Sequence, residues 1–114
     1  MKTKFFSNKE IKFADHPKFA NVKIATFITE KDTDTVSVCL LDIAPKTEIP
    51  IHTHDPQVDS IFVFEGQGEA FVNGRWDKIE AGDYIFVPAL DEHGINNTGT
   101  TSLKLFVHHS PPLL

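Results

Sequence analysis

The chain has 114 residues, a formal net charge of −5 and an apolar share of 40%. Its length favours one domain with one core, and the apolar share excludes wholesale disorder. The negative balance supplies no positive field for broad contact with nucleic acid or an anionic membrane surface.

The opening Met1 to Phe6 is followed by no long apolar run, so neither a signal peptide nor a membrane span is expected, and a cytoplasmic protein is the default reading. Lys9 to Phe19 has room for one helical turn, which Pro17 limits. Val22 to Thr29 predicts a strand, Lys31 to Asp34 a polar turn, and Thr35 to Ile43 a second strand. That second strand carries Cys39, the single cysteine, which reads as a buried thiol with no intrachain disulfide. Ala44 to Pro50 reads as a connection, and Ile51 to His54 as extended chain.

Ser60 to Phe64 predicts another strand. Glu65-Gly66-Gln67-Gly68 predicts a tight reversal, after which Glu69 to Val72 continues. Asn73-Gly74 is the strongest hairpin signal in the chain, returning through Arg75 to Ile79. Glu80 to Asp83 turns, with Asp83 expected to cap the turn. Tyr84 to Val87 is a strand stopped by Pro88. His93 to Asn97 and Ser102 to His108 complete the series, and Pro111 to Leu114 is expected to leave the barrel. Short strands joined by glycine turns, with ten phenylalanines, predict an all-β sandwich or closed barrel.

His52 and His54 lie two residues apart, a spacing that places both imidazoles on one face of extended chain. Asp59 follows across a short turn, and His93 comes from a distant strand. Imidazole nitrogen with carboxylate oxygen suits a divalent Mn, Fe, Ni, Zn or Co ion without selecting among them. Gln57 is an alternative donor to Asp59.

These residues resemble the two signature motifs of the cupin family. In the first motif a glycine is followed by His-x-His, a glutamate and a second glycine. Here His52, His54, Asp59 and Gly66 fit the spacing, with Lys46 in place of the leading glycine and Asp59 in place of glutamate. In the second, Gly82, Pro88, His93 and Asn97 fit every spacing, with Leu90 in place of a glycine. The resemblance implies a cupin double-stranded β-helix, an RmlC-like jelly-roll barrel, as one domain over 1–114 with its core at roughly 35–108. It also implies one divalent transition metal held by His52, His54, Asp59 and His93.

Alternation from Asp59 puts Ile61 and Val63 on its side and Phe62 and Phe64 on the other. With Gln57, Tyr84, Phe86, Ile95 and Asn97 they form the expected pocket, although Asn97 also suits a structural hydrogen bond. The outward phenylalanines need a cover, either the N-terminal segment or a second copy in a homodimer. His108 and His109 point to opposite faces, and their place at a strand end suggests a surface or subunit-contact role. The resemblance implies a metal-dependent enzyme, dioxygenase-like among the options, acting on a small organic substrate. The competing expectation is a metal-dependent module that binds or senses a sugar or other small molecule without turnover.

Overall fold

Two-residue periodicity organises the chain from Val22 onward, and the computed structural model describes all residues, 1–114. A 3-10 turn at Asn8–Glu10 precedes ten strands: β1 (Ala14–Asp15), β2 (Val22–Ile28), β3 (Ser37–Ile43), β4 (Thr47–His52), β5 (Val58–Glu65), β6 (Gln67–Val72), β7 (Arg75–Glu80), β8 (Tyr84–Val87), β9 (His93–Asn97) and β10 (Leu103–Ser110). They form a six-stranded sheet, β1-β2-β3-β10-β5-β8, and a four-stranded sheet, β4-β9-β6-β7. Every pairing is antiparallel. The inner faces meet in one apolar core that includes Val22, Ile43, Val63, Leu103 and Leu105, and burying these side chains is the main favourable term in folding. This is the all-β jelly-roll architecture that the motifs imply. No helix is long and apolar enough to cross a membrane.

Four local readings need correction. The stretch expected to be a connection is strand from Thr47 onward. Thr47 and Ile49 turn inward while Glu48 and Pro50 face out, and β4 is an edge strand, where proline is tolerated. Gly66 does not reverse the chain within one sheet. It carries the chain from β5 in one sheet to β6 in the other, and Gly68 lies inside β6 rather than in a turn. The last strand reaches Ser110, two residues beyond the expected end. Finally, residues 111–114 fold back instead of leaving: Leu114 packs against the core, its backbone oxygen accepts from Glu30 N–H at 2.7 Å, and Pro112 O accepts from Gln57 Nε2 at 3.2 Å.

Asn73-Gly74 joins β6 and β7 with φ of 51° and 82°, as a two-residue hairpin with positive φ at both positions requires. Asp83 Oδ2 accepts from Glu80 N–H at 2.8 Å, capping its turn as expected.

The two residues that replace motif glycines keep the glycine conformation. Lys46 has φ 59° and Leu90 has φ 73°. Left-handed backbone costs a non-glycine residue about 1–2 kcal/mol, while glycine loses roughly 0.5–1 kcal/mol more chain entropy on folding. Leu90 is 63% exposed, so its side chain contributes little packing. Leu90→Gly is therefore expected to stabilise the protein by about 0.5–1 kcal/mol. Urea denaturation checks this, and a lower midpoint would reject it.

Candidate metal centre

The first two histidines reach the barrel interior through a change of phase in β4. Thr47, Glu48 and Ile49 pair with Asn97, Asn96 and Ile95, but the next pair is His52 with His93. Three steps along β4 oppose two along β9, so β4 carries one extra residue. Such a bulge flips the inward–outward alternation, leaving Ile51 41% exposed and turning His52 in. Gly94 makes room for it: a Cβ there would lie 3.1 Å from Ile49 O and 3.2 Å from Ile51 N. His54 lies just beyond the strand, and Leu90 N–H donates to its carbonyl at 2.8 Å, tying the loop before β9 to the loop after β4.

The three rings of His52, His54 and His93 converge, with centroids 4.3–5.1 Å apart. One ligand nitrogen from each lies within 4.8 Å of the others. Two of the three are oriented by backbone carbonyls. His52 Nδ1 lies 2.7 Å from Pro50 O and His93 Nδ1 lies 3.0 Å from Asp91 O. A carbonyl only accepts, so each Nδ1 carries the proton and each Nε2 is directed to the site.

Asp59 enters from the opposite sheet on β5 and is 5% exposed. Its Oδ2 lies 3.2 Å from His93 Nε2 and 3.7 Å from His54 Nε2. With His93 Nδ1–H already donated to Asp91, a neutral His93 would set a lone pair against the carboxylate. The contact therefore requires a positive charge, either a proton on Nε2 or a cation shared by the two groups. Burial pulls His93 down, but the Asp59 contact and the Asp91 carbonyl outweigh it and hold the ring above its ordinary range. His54 behaves oppositely: burial first, then its neighbour His52, push it down to about 4. Burial also lowers His52.

A fifth residue, His109, was not expected here. It is 6% exposed, its Nε2 lies 3.6 Å from Asp59 Oδ1, and its ring centroid lies 5.7 Å from that of His54. Leu103, Leu105, Val107 and His109 are all inward on β10, so continuing the alternation one residue past the expected strand end finds it. His108 is on the outer side, against Phe106. The surface or subunit-contact reading is corrected for His109.

The expected pocket residues divide by strand parity. Ile61 and Ile95 line the cavity, and Val63 is fully buried deeper in the core. Tyr84 and Phe86 are corrected. The register Ile61↔Ile85 and Asp59↔Val87 makes Ile85 and Val87 the inward residues of β8, leaving Tyr84 and Phe86 59% and 56% exposed on the outer face. Gln57 is tied to the C-terminal segment through Pro112. Asn97 is structural: its Nδ2 donates to Ile43 O and Thr101 O, and its Oδ1 accepts from Gly99 N–H.

The Cupin domain model of this family matches residues 39–109, a segment that contains both histidine motifs and the sheets that present them. The chain is a cupin. It is 30% identical over 64 residues to an oxalate-binding protein of Thermotoga maritima, a match covering 56% of this chain and 53% of that protein. The match thus spans about half of that relative. Identity is also 30% over 105 residues with an uncharacterized protein of Aquifex aeolicus, covering 90% of this chain and 85% of the other. Among solved structures, a predicted oxalate decarboxylase from Thermotoga maritima superposes with a TM-score of 0.84 at 20% identity, over 95% of this chain and 99% of that one. At that identity the likeness concerns the fold.

The cupin cavity has a volume of about 320 Å³. Its polar side is the histidine–aspartate cluster. Ile24, Leu41, Ile49, Leu105 and Val107 form much of the rest, and Leu113 and Leu114 complete the lining. The loop between β1 and β2 adds Lys18 and Phe19 to the lining, with Phe19 6.3 Å from the His52 ring. His16 Nδ1 fixes that loop by accepting from Lys18 N–H and Phe19 N–H. Cys39 also lines the cavity, but burial and then Asp59 raise its thiol to about 12, so it stays protonated and offers no nucleophile.

These donors can chelate a divalent ion. The donor atoms of His52, His54 and His93 lie within 4.8 Å of one another, as do those of His54, Asp59 and His109; an ion with bonds of about 2.1 Å spans donors up to roughly 4.2 Å apart, so the three imidazoles need only a small contraction. Asp59 Oδ1 is buried with no hydrogen-bond partner. A carboxylate left in that state is costly, and a cation on the same group would offset the cost.

Proposed function

We propose that this cupin is a metal-dependent enzyme acting on a small, largely apolar organic molecule, with one Mn, Fe, Ni, Zn or Co ion held by His52, His54, Asp59 and His93. The observation that carries the reading is the Asp59–His93 contact, which demands positive charge at the point where three imidazoles converge. Such an ion, when bound, supplies Lewis-acid polarisation of a carbonyl or activation of an oxygen species, dioxygenase-like chemistry being one form. The chain's own contribution is to preset His52 and His93 through Pro50 and Asp91, to surround the donors with aliphatic side chains that exclude water, and to offer Lys18 in the cavity lining for an anionic end of the substrate.

A second reading, a binding or sensing module without turnover, is supported by the relative described as oxalate-binding. The test is protein purified without added metal, then loaded separately with each of the five ions. Each form is offered oxalate and a panel of small apolar 2-oxo acids and diols, with and without oxygen. Product that disappears on chelation is expected. Saturable, metal-dependent binding of any of these with no product would overturn the enzyme and leave the module. Failure to take up any of the ions would remove both.

The same reading includes a homodimer. Phe62, Phe64 and Phe106 form an apolar outer surface with Phe6, Phe27 and Leu40. The N-terminal segment reaches it through Phe6, whose ring meets that of Phe27 at 5.1 Å, yet Phe62 and Phe64 remain 42% and 39% exposed. A second copy covering this face would remove that area from water. Light scattering should give twice the chain mass, and Phe62→Glu should give the monomer. A wild-type monomer at high concentration would reject the dimer.

A further inference from the structure

His109 is buried beside the candidate centre, lies outside both histidine motifs, and has no part in the ligand set argued above. Its place is set by two strand registers. On β10 it pairs with Ser37 of β3 on one side and Asp59 of β5 on the other. The three inward side chains therefore form one row across the six-stranded sheet: Ser37, His109, Asp59.

Hydrogen-bond accounting along this row fixes the His109 proton. Ser37 Oγ accepts from Leu113 N–H at 3.0 Å and Leu114 N–H at 3.3 Å. A hydroxyl has two lone pairs and one proton. Both lone pairs are taken, so the contact with His109 Nδ1 at 3.4 Å can only be Ser37 donating. Nδ1 is then an acceptor, and the proton of the neutral ring is on Nε2. That N–H faces Asp59 Oδ1 at 3.6 Å, slightly beyond hydrogen-bond length, and Oδ1 is the one buried side-chain polar atom without a hydrogen-bond partner. A protonated Nε2 cannot be a metal ligand. The other carboxylate oxygen, Oδ2, faces His93 and His54.

We propose that His109 is a positioning residue: locked by Ser37 as the Nε2–H tautomer, it holds Asp59 Oδ1 so that Oδ2 is presented to the metal. The proposal rests on the metal-centre reading above. It also explains how an aspartate can work where a longer glutamate is usual in the motif. The shorter carboxylate is held from behind by a histidine across the strand. Because Ser37 is engaged by the backbone of Leu113 and Leu114, the C-terminal segment that lines the cavity also anchors the row.

Two measurements test it. In the metal-free wild type at neutral pH, long-range proton–nitrogen correlation spectra of the imidazoles should show His109 as the Nε2–H tautomer. An Nδ1–H tautomer would overturn the proposal, whether or not the protein binds metal. Cobalt(II) titration then compares His109→Leu with His109→Gln, whose amide nitrogen can replace the Nε2–H donor. His109→Leu should bind cobalt about 10–100-fold more weakly, the usual cost of losing a contact behind a ligand. His109→Gln should bind close to wild type, and both loaded variants should keep the wild-type visible spectrum. Unchanged affinity in His109→Leu would overturn the positioning role. Equal loss in both variants with an altered spectrum would make His109 a ligand and overturn it as well. No cobalt uptake by the wild type would instead defeat the metal centre, leaving the tautomer to be judged on the spectra alone.

Discussion

Replacing His93 with alanine is expected to lower divalent-metal affinity by at least about a hundredfold and to destabilise the metal-free protein by about 3 kcal/mol. The first figure is a lower bound, because even contacts behind a ligand are worth 10–100-fold. The second follows from burial. His93 and Asp59 are 3% and 5% exposed, and their 3.2 Å contact is the shortest of the three that the Asp59 carboxylate makes with imidazoles. Without His93, Oδ2 retains only His54 at 3.7 Å. Stranding one member of a buried pair costs about 3–5 kcal/mol, and the other nearby imidazoles place this case at the low end.

A second substitution separates the two effects. In His93→Ala/Asp59→Asn the stranded charge is gone, so part of the lost stability should return while metal affinity stays low. Urea denaturation reads the stability and titration with cobalt(II) reads the affinity. Affinity within a few-fold of wild type in His93→Ala would remove His93 from the ligand set. Equal stability of the single and double variants would show that the stranded carboxylate is not what destabilises the fold.

The motif spacing made most of the site legible because it reflects geometry that sequence preserves. His52, His54, Asp59 and His93 are brought together from three strands and a loop, across two sheets. The missed features share one cause: phase along a strand is a tertiary property. The bulge in β4 carries no sequence mark of its own, since Gly94, which makes room for it, lies on the partner strand. Tyr84 and Phe86 share a face in either phase, and only pairing with β5 shows that the face is the outer one. His109 was lost because β10 was expected to end at His108. The strand continues because it is paired on both sides, with Ser37 and Asp59. Lys46 and Leu90 are the converse case. Their side chains depart from the motif, while their positive φ values preserve the backbone conformation that glycine supplies elsewhere.

Gly66→Ala is expected to be among the most destabilising single-methyl additions in the chain, at about 3 kcal/mol or more. Two penalties coincide. The residue has φ +88°, which costs an alanine about 1–2 kcal/mol. Its Cβ would also lie 2.4 Å from Ser102 O and 3.1 Å from Leu103 Cα. These are backbone atoms, so no rotamer change relieves the clash, and Leu103 is fully buried in the core. Gly82 provides the control. Its φ is +100°, but a Cβ there meets nothing within 4 Å, so Gly82→Ala should cost only the conformational 1–2 kcal/mol or so. Equal losses in the two variants would show that the crossing between sheets relaxes freely around the added methyl. The damage should also stay local. Leu103 and His109 lie six residues apart on β10, roughly 20 Å at the rise of an extended strand. Folded Gly66→Ala should therefore bind cobalt(II) nearly as wild type does, the reverse of His93→Ala, in which affinity falls in the folded protein itself.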